Sequence, residues 1–279
     1  MANLKTPSMG GIGYDGAVWF PRRSPVEMST VISFLSTPEG FVIASDGRAS
    51  NADLRQKTGD DHQKIFNVDN GDVRIAYGLA ETIKIGDGQN VIFDFVTATA
   101  TMATRVAEER PRNWWQFVVA LTERLTEAVN HARVDSACTL SEEKATHIFL
   151  GGFYGKHGKS AHINFVHGVS VTEGEPYVHQ SGFVAPPFGS RVVLGLLESG
   201  DSRFLQYATP PRSSAMTLPA AIQRVMNEVL AHYDPKAVEV DEKLAWTVGG
   251  RVQIATVTFS DGFRWVRGFG RLGSPEAKP

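Results

Sequence analysis

Two hydroxyls, a carboxylate and an amine fall within residues 28–64 of this 279-residue chain. Ser29 and Thr30 open an apolar run at 30–35, Asp46 closes a second run at 41–45, and Lys64 follows a polar loop. A serine or threonine hydroxyl is a poor nucleophile until a base takes its proton, and a nearby charge must stabilise the anion that develops. A hydroxyl, a carboxylate and an amine gathered at one end of a hairpin are therefore parts for nucleophilic catalysis. The same residue types also serve as ordinary strand ends, so their types alone decide nothing.

The elements that would have to gather them are legible. The runs at 30–35 and 41–45 are rich in β-branched and aromatic residues and flank Ser36-Thr37-Pro38-Glu39-Gly40, which predicts a hairpin. A second hairpin is expected where Asn70-Gly71 separates apolar runs at 64–68 and 73–77. Apolar residues at helical spacing predict helices over 91–108 and 112–133, with Pro111 between them. Strands are expected at 147–153, 161–167 and 177–183, helices at 189–198 and 218–233, and a closing hairpin from 252 to 266. Strands, two helices, strands, helices and strands again do not alternate as a parallel doubly wound sheet would.

This region resembles the opening of the proteasome-type N-terminal-nucleophile hydrolases, and of their β-subunit-like members in particular. Asp46-Gly47-Arg48 matches their Asp-x-Arg turn, Lys64-Ile65-Phe66 their lysine before the next strand, and Gly78, fourteen residues on, a glycine whose N–H lies in the oxyanion hole. The resemblance runs from Ser29 to about Val266. It implies an α+β fold, a four-layer αββα sandwich of two antiparallel sheets flanked by helices. It also implies that the base is the nucleophile's own α-amino group, that Lys64 lowers the pKa of this group and that Asp46 holds Lys64. In the uncut chain that nitrogen is an amide, so residues 1–28 are expected to be a leader or arm, 29–267 the domain and 268–279 a tail. Aligning Ser29 with the first hydroxyl leaves one extra residue in the hairpin turn, and placing Asp46 seventeenth without it selects Thr30. Ser29 is preferred, because a length change is cheapest in a turn.

Three departures bear on activity. Peptidase members carry an Asp and a Ser before a late Gly-Gly, whereas Ala245 and Val248 precede Gly249-Gly250 here. They also place a serine ahead of the helix matched by 192–198, where Phe188 is the counterpart and Ser190 is close. The favoured reading is a threonine- or serine-type hydrolase of peptide or smaller amide bonds, and the alternative is a non-catalytic subunit that assembles into oligomers. No cofactor or metal is expected, since the eight histidines form no metal-ligand spacing. Gly11-Ile12-Gly13-Tyr14-Asp15-Gly16 lacks the strand and helix that a dinucleotide fingerprint needs. The formal net charge of −2 argues against nucleic acid, and no apolar run is long enough to span a membrane. With no secretory signal visible and Cys138 unable to form an internal disulfide, a soluble, cytoplasmic homo-oligomer is expected.

Overall fold

A computed structural model describes residues 30–51, 56–71, 73–81, 84–86, 91–136, 144–155, 157–167, 176–179, 187–213, 215–266 and 268–269. Ser29, Cys138, the glycine-rich run at 11–16 and most of the expected leader and tail lie outside these residues. The strands are β1 (Ile32–Ser36), β2 (Gly40–Ser45), β3 (Ala49–Asn51), β4 (Gln56–Gly59), β5 (Ile65–Asn70), β6 (Val73–Glu81), β7 (Lys84–Gly86) and β8 (Val91–Asp94). Two helices follow, α1 (Phe95–Glu108) and α2 (Trp114–Asp135), and then β9 (Lys144–Tyr154), β10 (His157–His167) and β11 (Pro176–His179). The chain continues through α3 (Arg191–Ser199), α4 (Leu218–Ala231), α5 (Pro235–Val240) and α6 (Leu244–Thr247) to β12 (Gln253–Thr258) and β13 (Gly262–Trp265).

The strands form two principal antiparallel sheets, ordered β1-β2-β12-β13 and β11-β10-β9-β6-β5. Phe34, Phe41, Ile43, Ala76, Phe149 and Val257 fill the space between them. The approach is close at Gly151, where a β-carbon would run into the Phe41 ring. On the outside, α1 and α2 cover the five-stranded sheet through Phe95, Val106, Phe117, Leu121 and Leu125. The four-stranded sheet is covered through Val193, Leu197, Val225 and Val229 of α3 and α4. Helices, sheet, sheet and helices make the expected α+β four-layer sandwich.

Local differences have local causes. The helix expected from residue 91 starts at Phe95, because Val91, Phe93 and Asp94 pair with β7 as a strand. The Asp94 side chain then caps α1, accepting from the Val96 and Thr97 N–H groups. Trp114 is buried as core, while its neighbour Trp115 points outward. No helix among the described residues is long and apolar enough to cross a membrane.

Candidate functional site

The site forms where three strand ends meet. Residues 41–44, which run up to Asp46, are apolar and buried, so this strand stays inside the sheet until the carboxylate itself is reached. Asp46 is fully buried, and four donors converge on its two oxygens. Oδ1 accepts from the Val31 N–H at 3.0 Å and from Lys64 Nζ at 2.8 Å. Oδ2 accepts from the Arg48 N–H at 3.1 Å and the Gly249 N–H at 3.4 Å. A carboxylate held by several N–H groups keeps its direction.

Lys64 Nζ reaches past Asp46 to Thr30 Oγ1 at 3.0 Å, and both Thr30 and Lys64 are buried. Burial pushes the pKa of the Lys64 ammonium down, and Asp46 offsets part of that fall. The backbone of Lys64 is fixed as well, because its N–H donates to Gln253 Oε1 at 3.0 Å and Gln253 is anchored on the His62 carbonyl. Thr30, Asp46 and Lys64 are thus brought together as their positions at the strand ends predicted. The hydroxyl set against Lys64 is that of Thr30, from which Asp46 is the seventeenth residue, so the hairpin needs no inserted residue. Ser29 lies outside the described residues.

A collar of turns surrounds Asp46. The Gly47 N–H donates to the Gly249 carbonyl at 3.0 Å, and Tyr233 donates its hydroxyl hydrogen to the same oxygen at 2.8 Å. Arg48 pairs with Asp60 at 2.7 Å and donates to the Ala245 carbonyl at 2.9 Å. Gly250 sits at φ +71° against the backbone of Asp60, where a β-carbon would be both strained and crowded. Ala245 is exposed and Val248 buried, so the two positions that carry a carboxylate and a hydroxyl in the resembling peptidases supply neither here.

Gly78 is placed differently from the oxyanion role expected of it. It lies within β6 between β5 and β9, in register with Ile65 on one side and Phe149 on the other. Leu79 donates its N–H to the Lys64 carbonyl on the β5 side. Antiparallel alternation therefore turns the N–H of Gly78 toward β9. A β-carbon at this position would lie 3.1 Å from the terminal methyl groups of Ile32 and Ile43 between the sheets, a tight contact that those side chains would have to ease.

The edge of β1 away from β2 is met by the chain just ahead of α3. Ile32 and Phe188 exchange backbone hydrogen bonds of 2.9 and 2.7 Å in an antiparallel bridge. Ser190 is the residue before α3, so it fills the place of the serine ahead of the helix, while Phe188 serves as the backbone partner. Behind Gly189 stands His232, whose Nε2 lies 2.8 Å from where a Gly189 β-carbon would be. No short-range pattern could have announced His232, because α4 brings it to Gly189 from far along the chain. Among the described residues, no cluster of three or more His, Cys, Asp or Glu side chains could hold a metal ion.

The molecule is an αββα sandwich with a buried hydroxyl–ammonium–carboxylate line at one end of its sheets. Many solved structures resemble it, two Anbu proteins among them. One is described as an Anbu (Gly-1) mutant from Hyphomicrobium sp. strain MC1, with 14% identity, 85% of each chain covered and a TM-score of 0.42. The other is described as Anbu (ancestral beta-subunit) from Yersinia bercovieri, with 11% identity, 85% of this chain and 86% of that one covered, and a TM-score of 0.44. No protein-family model matches the chain, and no curated protein matches it in sequence. These findings correct the expected assignment to the proteasome-type family as a β-subunit-like homologue. The structures it resembles carry a different name, and the likeness to them is remote. The motifs behind that assignment, Asp46-Gly47-Arg48 and Lys64-Ile65-Phe66, are three residues long. Each is accounted for by local needs, a buried carboxylate turn and a strand entry.

Proposed function

We propose that this protein is an N-terminal-nucleophile hydrolase of amide bonds, with Thr30 as nucleophile, Lys64 as the charge beside it and Asp46 as the anchor of Lys64. One observation carries the proposal: a buried ammonium is shared between a threonine hydroxyl at 3.0 Å and a carboxylate at 2.8 Å. A buried ammonium is costly unless it is paired and its remaining N–H groups find acceptors, so the Thr30 hydroxyl also serves Lys64 structurally. Such a group does lower the pKa of a neighbouring amine and stabilise a developing alkoxide.

In the reaction, Thr30 Oγ attacks the amide carbonyl carbon and its proton passes to the free α-amine of Thr30. The C–N bond then breaks, and the leaving amine departs with that proton. Water hydrolyses the resulting ester, releasing the acid and restoring the hydroxyl. The mechanism requires cleavage of the Ser29–Thr30 peptide bond, so the mature domain begins one residue later than the preferred alignment gives. The substrate is a peptide or smaller amide, no cofactor takes part, and the protein works in the cytoplasm as a homo-oligomer.

Intact mass and amide hydrolysis, measured on the same preparation, test this. Protein whose chain starts at Thr30 and which hydrolyses amides, with Thr30→Ala inactive, is the expected result. Uncut protein that still hydrolyses amides overturns the mechanism. Light scattering is expected to give a mass several times 30.4 kDa. The absence of a carboxylate at Ala245 and of a hydroxyl at Val248 favours a second reading, a non-catalytic subunit. That reading holds if the assembled protein keeps residues 1–29 and is inert.

A further inference from the structure

Asp46 is aimed by backbone as well as by Lys64, and the backbone on its Oδ2 side is held by one side chain. The two N–H groups that Oδ2 accepts from belong to Arg48 and Gly249. The Arg48 guanidinium packs against Gly249, where a β-carbon would run into Cζ and Nη2, and its Nη1 donates to the Ala245 carbonyl at 2.9 Å. Asp60 grips the same guanidinium from the other loop. Its Oδ1 accepts from Arg48 Nε at 2.7 Å, and its Oδ2 accepts from Lys57 Nζ at 2.8 Å. Asp60 is tied down in turn, because its carbonyl accepts from the Arg251 N–H at 3.1 Å and lies against Gly250.

The Arg48 and Asp60 side chains are 16% and 35% exposed, so water screens their pair and it adds little to stability. What it fixes is direction, since a planar fork held at Nε and Nη1 has one orientation. Ala245 offers this fork only a carbonyl, and the carboxylate comes from Asp60. Within the hydrolase reading, on which this inference rests, we propose that Asp60 is a positioning residue. Through Arg48 it fixes the two N–H groups that aim Asp46, and so the Lys64 ammonium, at the Thr30 hydroxyl. The contacts are continuous: Asp60 to Arg48, Arg48 and Gly249 to Asp46, Asp46 to Lys64 at 2.8 Å, and Lys64 to Thr30 at 3.0 Å. Asp60 itself touches no reacting atom. The Lys57 and Arg48 hydrogen bonds hold its carboxyl below the usual carboxylate range. The pair therefore stays charged wherever an α-amine, with an ordinary pKa of about 7.7–8.0, can serve as the base.

A double-mutant cycle on the matured, full-length-expressed protein tests this, with melting temperature and N-terminal mass checked first. Asp60→Ala is expected to melt within about 4 °C of the wild type. It should lower kcat on a peptide amide by about 10-fold with KM unchanged. Arg48→Ala should lose at least as much. The double variant should lose no more than Arg48→Ala alone, because Asp60 has nothing to act through once the guanidinium is gone. A folded Asp60→Ala variant with wild-type kcat overturns the proposal and leaves the hydrolase reading standing. Losses that multiply in the double variant also overturn it, and so does a loss confined to KM, since contact with substrate would then be at work. An Asp60→Ala chain that does not fold shows a structural role and overturns it as well. If Arg48→Ala does not fold, Arg48→Lys takes its place, because a compact ammonium cannot bridge Asp60 and the Ala245 carbonyl as the fork does. On that background a smaller cost of Asp60→Ala supports the proposal, and an undiminished cost overturns it. Wild-type protein that stays uncut, or is cut and inert, overturns the hydrolase reading and this inference with it.

Discussion

The two helical layers are attached to their sheets in different ways. Helices α1 and α2 lie on the five-stranded sheet through apolar side chains, with Phe117, Val118, Leu121 and Leu125 all fully buried. Helix α4 has its own apolar face, but it also sends Glu228 into a buried cluster with Arg212, Arg224 and the hydroxyl of Ser33 on β1. Burial opposes the charge on Glu228, yet the Arg212 guanidinium and the hydrogen bonds around the carboxyl hold its pKa below the usual range. Arg212 further donates to the Phe34 carbonyl at 2.9 Å. Apolar packing is tolerant of small slides, whereas charged hydrogen bonds are directional. The layer that must hold β1 in register behind Thr30 is the one with the directional ties.

The contrast can be broken most forcefully at Glu228. Glu228→Ala leaves Arg212 and Arg224 buried without their carboxylate and is expected to cost about 3–5 kcal/mol in denaturant unfolding, together with amide hydrolysis. Leu121→Ala, in the apolar layer, should cost about 2–5 kcal/mol by the same measurement and leave turnover per folded molecule unchanged. Equal damage to turnover from both variants would mean that the layers do not differ.

At the site itself, Lys64→Arg keeps the charge but replaces a compact ammonium with a planar fork. The variant is expected to fold and lose about 10²-fold in rate, and wild-type turnover would make the Asp46–Lys64 pair scaffolding.

A smaller effect is read from acid. A neutral His232 in the fold takes up no proton where the unfolded chain does, so stability falls as pH drops through about 6.5, the ordinary histidine value. The loss of melting temperature between pH 7 and 5.5 should therefore be shallower in His232→Asn than in the wild type. The smallest effect is expected at Arg124, whose exposed pairs with Glu109 and Glu127 should be worth less than about 1 kcal/mol when it is changed to Ala.

The sequence revealed most where cause and consequence are close along the chain. The β1–β2 hairpin, the Asn70-Gly71 turn and helices α1, α2 and α4 follow from periodicity and turn chemistry that a short window contains. Asp46 and Lys64 stood out because each ends or enters a strand, whereas the sequence reading preferred Ser29 to Thr30 as the first hydroxyl. Glu228 was not, since its hydroxyl partner Ser33 is 195 residues away and a glutamate on a helix ordinarily reads as solvated. His232 was hidden for the same reason. The short strands β3, β4, β7 and β8 escaped notice because pairs of three or four residues carry too little alternation to stand out. Gly78 was singled out for an oxyanion-hole N–H, and in the structure it sits inside β6, close to Ile32 and Ile43 between the sheets.

Strand β2 is buried along its whole length, hydrogen-bonded to β1 on one side and β12 on the other, with the second sheet across one face and α4 across the other. Such a strand opens only when the domain does, so its amides should be among the last to exchange with deuterated solvent. Asp46 stands at the end of that strand. Many active centres are carried on mobile loops, but this carboxylate is fixed to a strand buried along its whole length. Its position is therefore set once, on folding, and in the proposed hydrolase any movement that admits a substrate would have to come from the chain around it.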